Sequence, residues 1–259
     1  MDLGIKGRRA LVTGASKGLG RGCAEALAAA GVDLVLNARG AEALEEAAEA
    51  IRAAHGVTVA TVAADVTTDE GRARVLEAAG GLDILVTNAG GPPPGLWRDW
   101  AREDFQRAIE ANMLTPILLM QAILPGMCDR GWGRVVNITS TSVKAPLPPL
   151  GLSNTARAGL TGYVAGVSRQ VASFGVTINN LLPGSHDTDR IKALDMATVE
   201  REGIPMEEAR KRRMASIPVG RYGTPEEFGA MCAFLCSAHA GYVVGQNVVL
   251  DGGAVNATL

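Results

Sequence analysis

The chain has 259 residues, a formal net charge of −2 at pH 7 and a hydrophobic content of 47%. A length of this order suits one large α/β domain or two small ones. The near-neutral charge alternates in sign along the chain and gives no sign of a nucleic-acid surface or a polybasic membrane-binding patch.

Short apolar segments alternate along the chain with amphipathic ones. This β-α alternation predicts a doubly wound, Rossmann-type parallel sheet with helices on both faces, in a single domain over residues 1–259. Helices are predicted between the strands, for example over residues 19–30, 41–54 and 68–79. The seven predicted strands cover residues 9–14, 32–37, 57–62, 82–88, 134–139, 176–182 and 247–253.

A glycine-rich turn, TGASKGLG, follows the first predicted strand at residues 13–20. Gly14 permits a tight turn, and Gly18 and Gly20 let the backbone approach a pyrophosphate at the N-terminus of the next helix. A glycine run that merely packs a helix on the sheet is the alternative, but the strand-turn-helix context favours dinucleotide binding. The predicted cofactor-binding residues of this turn are Gly14, Ser16, Lys17, Gly18, Leu19 and Gly20.

The end of the second predicted strand indicates which dinucleotide binds. An acidic residue near this point usually holds a free ribose 2′-hydroxyl, but here the chain reads Asn37-Ala38 and then Arg39. Arg39 and Lys17 together suit a 2′-phosphate, which predicts NADP(H) as the cofactor. Two solvated surface cations are the alternative interpretation.

Residues after the third and fourth strands complete the predicted cofactor site. We expect Asp65 and Val66 at the adenine. Asn88, Ala89 and Gly90 should bring the backbone close to the cofactor, and the GGPPPG segment that follows is a loop, because consecutive prolines exclude helix and central strand.

Taken together, the ordered motifs resemble those of the short-chain dehydrogenase/reductase family, in the branch of the 3-oxoacyl-carrier-protein reductases, over nearly the whole chain. The resemblance implies a seven-stranded Rossmann fold, a nicotinamide cofactor and a homo-oligomer, either tetramer or dimer. It also implies that Pro183 and Gly184 lie at the cofactor, that Thr188 holds the nicotinamide carboxamide and that Asn112 anchors a water relay. The motifs are Thr13-Gly14, Gly18, Gly20, Asp65-Val66, Asn88-Ala89-Gly90, Asn112, Ser140, Pro183-Gly184, Thr188, GTPEE at 223–227 and GQNVVLDGG at 245–253.

The catalytic core departs from the family, whose set is an Asn, a Ser, a Tyr and a Lys. Asn112 and Ser140 match, but Ser153 stands at the tyrosine position and Arg157 at the lysine position. Four residues apart, Ser153 and Arg157 share one helix face, and Arg157 could hold the ribose hydroxyls and favour a developing alkoxide. Neither is a useful proton donor at ordinary pH. Losing a positioned general acid typically costs about 10²–10⁴ in rate.

Two residues could replace the missing acid. Lys144 follows Ser140 by four residues, and partial desolvation near Arg157 would lower its pKa and make it a proton donor; a solvated loop lysine is the alternative. His186 titrates in the right range near the expected nicotinamide, unless it caps a segment or faces solvent. A divergent branch of the family also lacks the tyrosine, and the segments SVKAP and LSNTARAGL resemble it, which groups Lys144, Ser153 and Arg157 as a set.

The substrate side is predicted from one insertion and one apolar wall. Residues 188–216 form a charged, helix-prone insertion after the sixth strand, and we expect a lid over the ligand crevice. The wall is apolar, which suits a medium-sized ketone or alcohol. The cationic run at 210–213 could meet an anionic carrier, although the glutamates before it favour a salt-bridged, solvated face. The predicted wall residues are Leu96, Trp97, Leu147 and Leu150.

Two functions remain open from the sequence. The first is a carbonyl reductase, or an alcohol dehydrogenase in reverse, in which Ser140 binds the substrate oxygen, Arg157 stabilises charge and Lys144 supplies the proton. The second is an NADP-binding sensor or structural subunit without hydride transfer. The polar groups kept at residues 140, 144, 153 and 157 favour the enzyme.

The cellular setting is predicted from cysteines and from the N-terminal segment. The four cysteines match no zinc or redox spacing, and Cys232 and Cys236 suit buried free thiols in a helix, as in a reducing compartment. No signal peptide is recognised before the first strand. We therefore expect a cytoplasmic protein with a small carbonyl or alcohol substrate and no metal, nucleic-acid or membrane partner.

Overall fold

The predicted parallel sheet is confirmed in the computed structural model, which describes residues 1–257. Its strands are β1 Arg9–Thr13, β2 Asp33–Ala38, β3 Val59–Ala63, β4 Ile84–Thr87, β5 Gly133–Ile138, β6 Val176–Pro183 and β7 Asn247–Leu250. They pair in the order β3-β2-β1-β4-β5-β6-β7, with every pairing parallel. The strand order therefore reverses between β1 and β4, where such sheets bind ligands beyond the carboxyl ends of the strands.

Helices cover both faces of the sheet, as predicted. Leu27 and Phe228 are buried on one face, and Leu119 and Leu160 on the other. Burial of apolar side chains on both faces explains why the strands are continuous apolar runs. The α-helices of residues 1–257 are α1 Gly18–Ala29, α2 Ala41–His55, α3 Asp69–Ala79, α4 Arg102–Ile109, α5 Thr115–Asp129, α6 Gly151–Val171, α7 Asp189–Glu202, α8 Met206–Ala215 and α9 Pro225–Leu235.

The α4–α5 region forms one continuous helix from Arg102 to Asp129, joined by a π-helical turn at Glu110–Leu114. With 28 residues it is long and apolar enough to cross a membrane by length and composition. However, its side chains Leu119, Met120 and Ile123 are buried in the core beneath the sheet. We therefore interpret it as a core helix, as is common for buried helices that are apolar on most sides.

The segment predicted as a lid forms α7 and α8. The buried carboxylate of Asp195, on α7, connects both helices and the loop that follows them. Asp195 is fully buried and accepts hydrogen bonds from Arg213 Nε at 2.5 Å and from the Tyr222 hydroxyl at 3.0 Å. Burial, together with the hydrogen bond to Asp195, raises the pKa of Tyr222 to about 12. The cationic run is salt-bridged as predicted, because Arg210 pairs with Asp187, and Arg212 with Glu208.

The N-terminus of α9 carries a reciprocal cap that should respond to pH. The Thr224 hydroxyl accepts from the Glu227 N–H at 3.2 Å, and Glu227 accepts from the Thr224 N–H at 2.9 Å. Hydrogen bonds from Arg221, then from the Thr224 backbone, lower the pKa of Glu227 from 4.5 to about 2. A carboxyl group whose pKa is lower in the folded state stabilises the fold above its unfolded pKa, and loses that effect as the pH falls.

We therefore expect Glu227→Gln to lower the Tm at pH 7, and the difference from wild type to shrink between pH 4.5 and about 2. Thermal unfolding across a pH series measures this. Glu226→Gln, at the neighbouring position of the same first turn, is the control. A Tm difference that does not change with pH would contradict the role of the Glu227 charge.

Candidate active site

Hydrogen bonds join the glycine turn to the segment at the end of β4. The Thr13 hydroxyl donates to the Asn88 carbonyl oxygen at 2.8 Å and accepts from the Asn88 N–H at 2.8 Å. Asn88 Nδ2 also donates to the Gly14 carbonyl oxygen at 3.1 Å. These bonds bring together two segments that the sequence assigns to the cofactor.

The turn leaves a backbone cradle at the start of α1. Gly14 and Gly18 both have a φ of +59°, a region that favours glycine. A Cβ on Gly20 would overlap the Gly14 carbonyl oxygen and lie 2.7 Å from Asn88 Nδ2. Lys17, the N-cap residue of α1, makes no side-chain capping bond, and the first N–H groups of a helix have no partner within it, so they are available to an anion. This geometry fits a dinucleotide pyrophosphate.

The end of β2 carries no acidic side chain toward a ribose. Asn37 is buried, and its Nδ2 donates to the carbonyl oxygens of Val62 and Ala64 at 2.9 and 3.0 Å. The amide therefore ties β2 to β3 and its following loop. Arg39, two residues further on, is exposed at this corner, and its charge contributes to lowering the pKa of Asp65. The corner suits an anion better than a hydroxyl pair.

Lys17 belongs to a contact that the sequence did not predict. Its Nζ lies 2.8 Å from Asp189 Oδ2, at the start of the lid helix α7. The expected use of Lys17 on a 2′-phosphate needs this exposed ion pair to open. Thr188, at the start of the lid, also packs beside the glycine turn. Its Cγ2 would lie 3.5 Å from a Cβ placed on Gly18. Thr188 is thus next to the cradle, as its predicted cofactor role requires.

The other predicted cofactor residues lie beyond the carboxyl ends of their strands, which share one edge of the sheet. The Asp65 carboxylate is held in place by its own loop. The N–H and the hydroxyl of Thr67 both donate to its Oδ1, and these hydrogen bonds lower the pKa of Asp65. The residues are Ser16 and Leu19 after β1, Asp65 and Val66 after β3, Asn88, Ala89 and Gly90 after β4, and Pro183 and Gly184 at the end of β6.

Ser153 and Arg157 lie on one buried face of α6, with 5% and 7% of their surfaces exposed. Arg157 Nη1 donates to the carbonyl oxygens of Ile138 and Thr139 at 2.6 and 2.7 Å, at the end of β5. Burial, and then the charge of Arg190, lower the pKa of Arg157 to about 10. The guanidinium is therefore cationic at neutral pH and fixed at the carboxyl edge of the sheet.

Asn112 stands in the π-helical turn between α4 and α5, and it is buried. Its Nδ2 lies 3.4 Å from the Ala108 carbonyl oxygen. Asn112, Asn88 and Arg157 line one small cavity, so three predicted site residues meet there. Single π-helical turns are frequent at functional sites, and nothing in the sequence periodicity predicted this one. The cavity is also lined by Thr87, Ala89, Ala111, Pro116, Ile138 and Leu160.

Ser140 and Lys144 bracket a short 3₁₀ turn after β5, Thr141–Val143. The Ser140 Oγ caps this turn by accepting from the Ser142 N–H at 3.1 Å. Lys144 ends the turn and is exposed, so the predicted desolvation of its ammonium group is wrong. Its backbone, rather than its side chain, is fixed by a hydrogen bond to Thr141. The turn is in contact with α6.

His186 is a packing residue in this structure. It is 4% exposed, and its ring stands edge-on to Phe228 with the ring centres 5.1 Å apart. Its Nδ1 lies 3.4 Å from the Gly184 carbonyl oxygen, and burial lowers the pKa of His186. Neither alternative considered for it, a helix cap or a solvent-facing side chain, describes this buried imidazole.

The residues predicted to form an apolar wall are mostly exposed on two loops. Leu96, Trp97 and Leu147 are exposed, Trp97 by 83%. Their two loops are tied by a hydrogen bond from the Gly95 N–H to the Pro149 carbonyl oxygen at 2.9 Å. Leu150 is half-buried at the start of α6. The two loops therefore present apolar surface to solvent.

Arg190 was missed by the sequence analysis. It is the second residue of α7, and its Nη2 donates to the Pro92 carbonyl oxygen at 2.8 Å. A Cβ on Gly91 would lie 3.2 Å from the central guanidinium carbon, so the cation rests on the loop after β4. A signal was present, because this cation directly follows Thr188-Asp189 at the predicted cofactor edge.

Comparison with known proteins identifies the family of the chain. Residues 14–255 match the family described as enoyl-(acyl carrier protein) reductase. A 3-oxoacyl-[acyl-carrier-protein] reductase of Vibrio cholerae is 35% identical over 257 residues, covering 97% of this chain and 98% of that protein.

Solved structures resemble the fold closely. L-sorbose reductase from Gluconobacter frateurii, complexed with NADPH and L-sorbose, has a TM-score of 0.94 and 32% identity, covering 99% of this chain and 100% of that one. Actinorhodin polyketide ketoreductase with NADPH has a TM-score of 0.91 and 30% identity, covering 97% and 98%. The chain therefore belongs to the short-chain dehydrogenase/reductase family and is similar to its 3-oxoacyl-[acyl-carrier-protein] reductases.

Proposed function

We propose that this chain is an NADP(H)-dependent oxidoreductase that reduces a ketone or aldehyde, or oxidises a secondary alcohol. The observation that carries the proposal is the cavity shared by Asn88, Asn112 and Arg157, next to the glycine cradle. Relatives crystallised with NADPH support the cofactor. The retained polar set supports an enzyme over a sensor or a structural subunit.

Different residues would bind different parts of the cofactor. The free N–H groups at the start of α1 would bind the pyrophosphate. Arg39 would bind the 2′-phosphate, helped by Lys17 once its exposed pair with Asp189 opens. Asp65 and Val66 would border the adenine, and the Thr188 hydroxyl would hold the nicotinamide carboxamide.

The reaction needs a hydride at carbon and a proton at oxygen. When bound, NADPH would supply the hydride for the carbonyl carbon. The Ser140 hydroxyl would donate a hydrogen bond to the carbonyl oxygen, and Ser153 is buried on α6, the helix that contacts the turn after Ser140. Arg157 holds the ribose, and its fixed charge stabilises the developing alkoxide.

Lys144 is the proposed proton donor. It ends the turn that Ser140 begins, which keeps the two residues on one loop at the carboxyl edge of the sheet. Its exposure excludes activation by burial, so the role rests on its position beside the Ser140 turn: the ammonium group would give a proton to the alkoxide and regain one from water. The alcohol then carries one hydrogen from the cofactor and one from solvent.

Lys144→Met is expected to lower kcat by about 10²-fold without changing the NADPH affinity, because it removes an acid and no cofactor contact. Turnover of small ketones and aldehydes and fluorescence titration of NADPH measure the two quantities. Lys211→Met, at an exposed lid position, is the matched control. Wild-type turnover in Lys144→Met would show that the proton comes from elsewhere.

We also propose that the protein is a cytoplasmic homo-oligomer. Its cysteines are free, and Cys23, Cys232 and Cys236 are buried thiols. Leu114 and Leu118 expose apolar surface along the π-helical turn and α5, which suits a subunit contact. Size-exclusion chromatography with light scattering measures the oligomeric state directly, and a monomer would contradict this proposal.

A further inference from the structure

Arg190 lies at the start of the lid helix α7, against the loop that follows β4. It enters from α7, and its guanidinium group lies on the backbone of Gly91 while donating to the Pro92 carbonyl oxygen. These two residues directly follow the Asn88–Gly90 segment that the proposed function places at the cofactor. The side chain therefore spans from the lid to the loop beside the reacting groups.

Arg190 has no acidic partner among residues 1–257, unlike the other arginines of the lid. Arg201, Arg210, Arg212 and Arg213 each pair with a carboxylate within 4 Å. Arg190 makes one hydrogen bond to protein, to a neutral carbonyl, and it is half-buried. Burial lowers the pKa of Arg190, which is the cost of holding a cation away from water without a counter-charge.

A second cation without an acidic partner lies nearby. Arg157 lines the cavity formed with Asn88 and Ala89, while Arg190 rests on Gly91 and Pro92 of the same segment. Neither arginine has a carboxylate within 4 Å in the described chain. Burial, and then the charge of Arg190, lower the pKa of Arg157. Two mutually repelling guanidinium groups at one cleft favour an anion between the lid and the site.

We propose that Arg190 is a specificity-determining residue that binds a carboxylate of the substrate, so that the chain acts on an oxo acid or the corresponding hydroxy acid. This inference rests on the proposed function, which places the reacting carbonyl at Ser140. A guanidinium fork matches a carboxylate with two parallel hydrogen bonds, and the N–H groups of Arg190 that make no protein contact are the donors. The cofactor pyrophosphate has its own donors at the start of α1.

The test is binding to the protein loaded with NADP⁺, measured by calorimetry. The probes are 2-oxobutyrate, acetoacetate and levulinate, each paired with its methyl ester, so that the pairs differ in charge and the series differs in carboxylate spacing. At least one acid should bind roughly 10- to 100-fold more tightly than its ester, as a charge-assisted pair predicts.

Three variants separate a specific contact from general charge. Arg190→Met should remove the preference for acid over ester, and Arg190→Lys should keep part of it. Lys192→Met removes an exposed cation from the same helix and should leave the preference unchanged. The NADP⁺ affinity of Arg190→Met should equal that of wild type.

Equal binding of every acid and its ester, including the absence of binding by both, would overturn the inference. It would also be overturned if Arg190→Met lost NADP⁺ affinity by the same factor, because Arg190 would then serve the cofactor phosphates. Turnover distinguishes the two proposals. Reduction of neutral ketones without a preference for acids would keep the proposed function and remove the carboxylate contact. Selective binding of acids without hydride transfer would keep the carboxylate contact and contradict the proposed function.

Discussion

Replacing Gly20 by alanine is expected to weaken NADPH binding by roughly 100-fold and to lower the Tm. The added methyl group would overlap the Gly14 carbonyl oxygen and crowd Asn88 Nδ2 at 2.7 Å. Both groups are fixed by the hydrogen bond that joins them, so α1 must move away from the turn. That movement withdraws the N–H groups proposed to bind the pyrophosphate. Fluorescence titration of NADPH and thermal unfolding measure the two effects.

Gly40→Ala is the matched control for this substitution. Gly40 is the N-cap residue of α2 at the end of the neighbouring strand β2, has a φ of −85°, and a Cβ there would meet no heavy atom within 4 Å. It should bind NADPH as tightly as wild type. If Gly20→Ala also bound NADPH normally, the glycine turn would be a packing device, which is the alternative that the sequence left open.

Replacing Arg157 by methionine is expected to have the second large effect, a loss of turnover together with a weaker fold. The Ile138 and Thr139 carbonyl oxygens would lose their donor at the end of β5. Leaving buried acceptors without partners costs about 1–3 kcal/mol each, so the free energy of unfolding should fall by about that amount or more. Chemical denaturation, NADPH titration and turnover measure the three outcomes.

Arg157→Lys separates the charge of Arg157 from its shape. Lysine is the residue that the family resemblance assigns to this position, and it keeps a cation that can reach the ribose. It should retain more NADPH affinity and more turnover than Arg157→Met, while losing part of the two-carbonyl contact. If the methionine variant kept wild-type turnover, Arg157 would be a structural residue of β5 and α6 only.

The sheet was predictable because its strands are apolar runs bounded by polar residues and glycines. The segment predicted at residues 176–182 is β6, Val176–Pro183, and that at 32–37 is β2, Asp33–Ala38. The glycine turn was predictable for a similar reason, since its local backbone needs residues that tolerate positive φ at Gly14 and Gly18. The strands and the glycine turn depend on residues that are close in the chain, so one sequence is enough to predict them.

The features that sequence analysis missed are contacts between distant segments. Lys17 and Asp189 are 172 positions apart, and Arg190 meets Pro92 across 98 positions. The exposure of Lys144 is also a tertiary property, since burial depends on what the fold places above the loop. The sequence could name Lys144 and Arg157 as a set, but the solvation of each follows from packing.

The π-helical turn at Asn112 was hidden for a different reason. Four of its five residues, Glu110, Ala111, Met113 and Leu114, are good helix formers, and Pro116 suits the start of α5. The extra residue per turn changes which side chains face inward, and so it turns Asn112 toward Asn88 and Arg157 at the cavity. Hydrophobic periodicity assumes a regular helix and cannot register such a shift.

The central claim is that hydride transfer persists without the tyrosine, and deuterium transfer tests it most directly. The protein would be incubated with NADPH deuterated at C4, as the 4R and 4S forms separately, and a panel of small ketones, aldehydes and oxo acids. Mass spectrometry of the products should find deuterium on the carbinol carbon of at least one alcohol, from one of the two forms only. Tight NADPH binding with no deuterium in any product would contradict the claim and indicate an NADP-binding sensor.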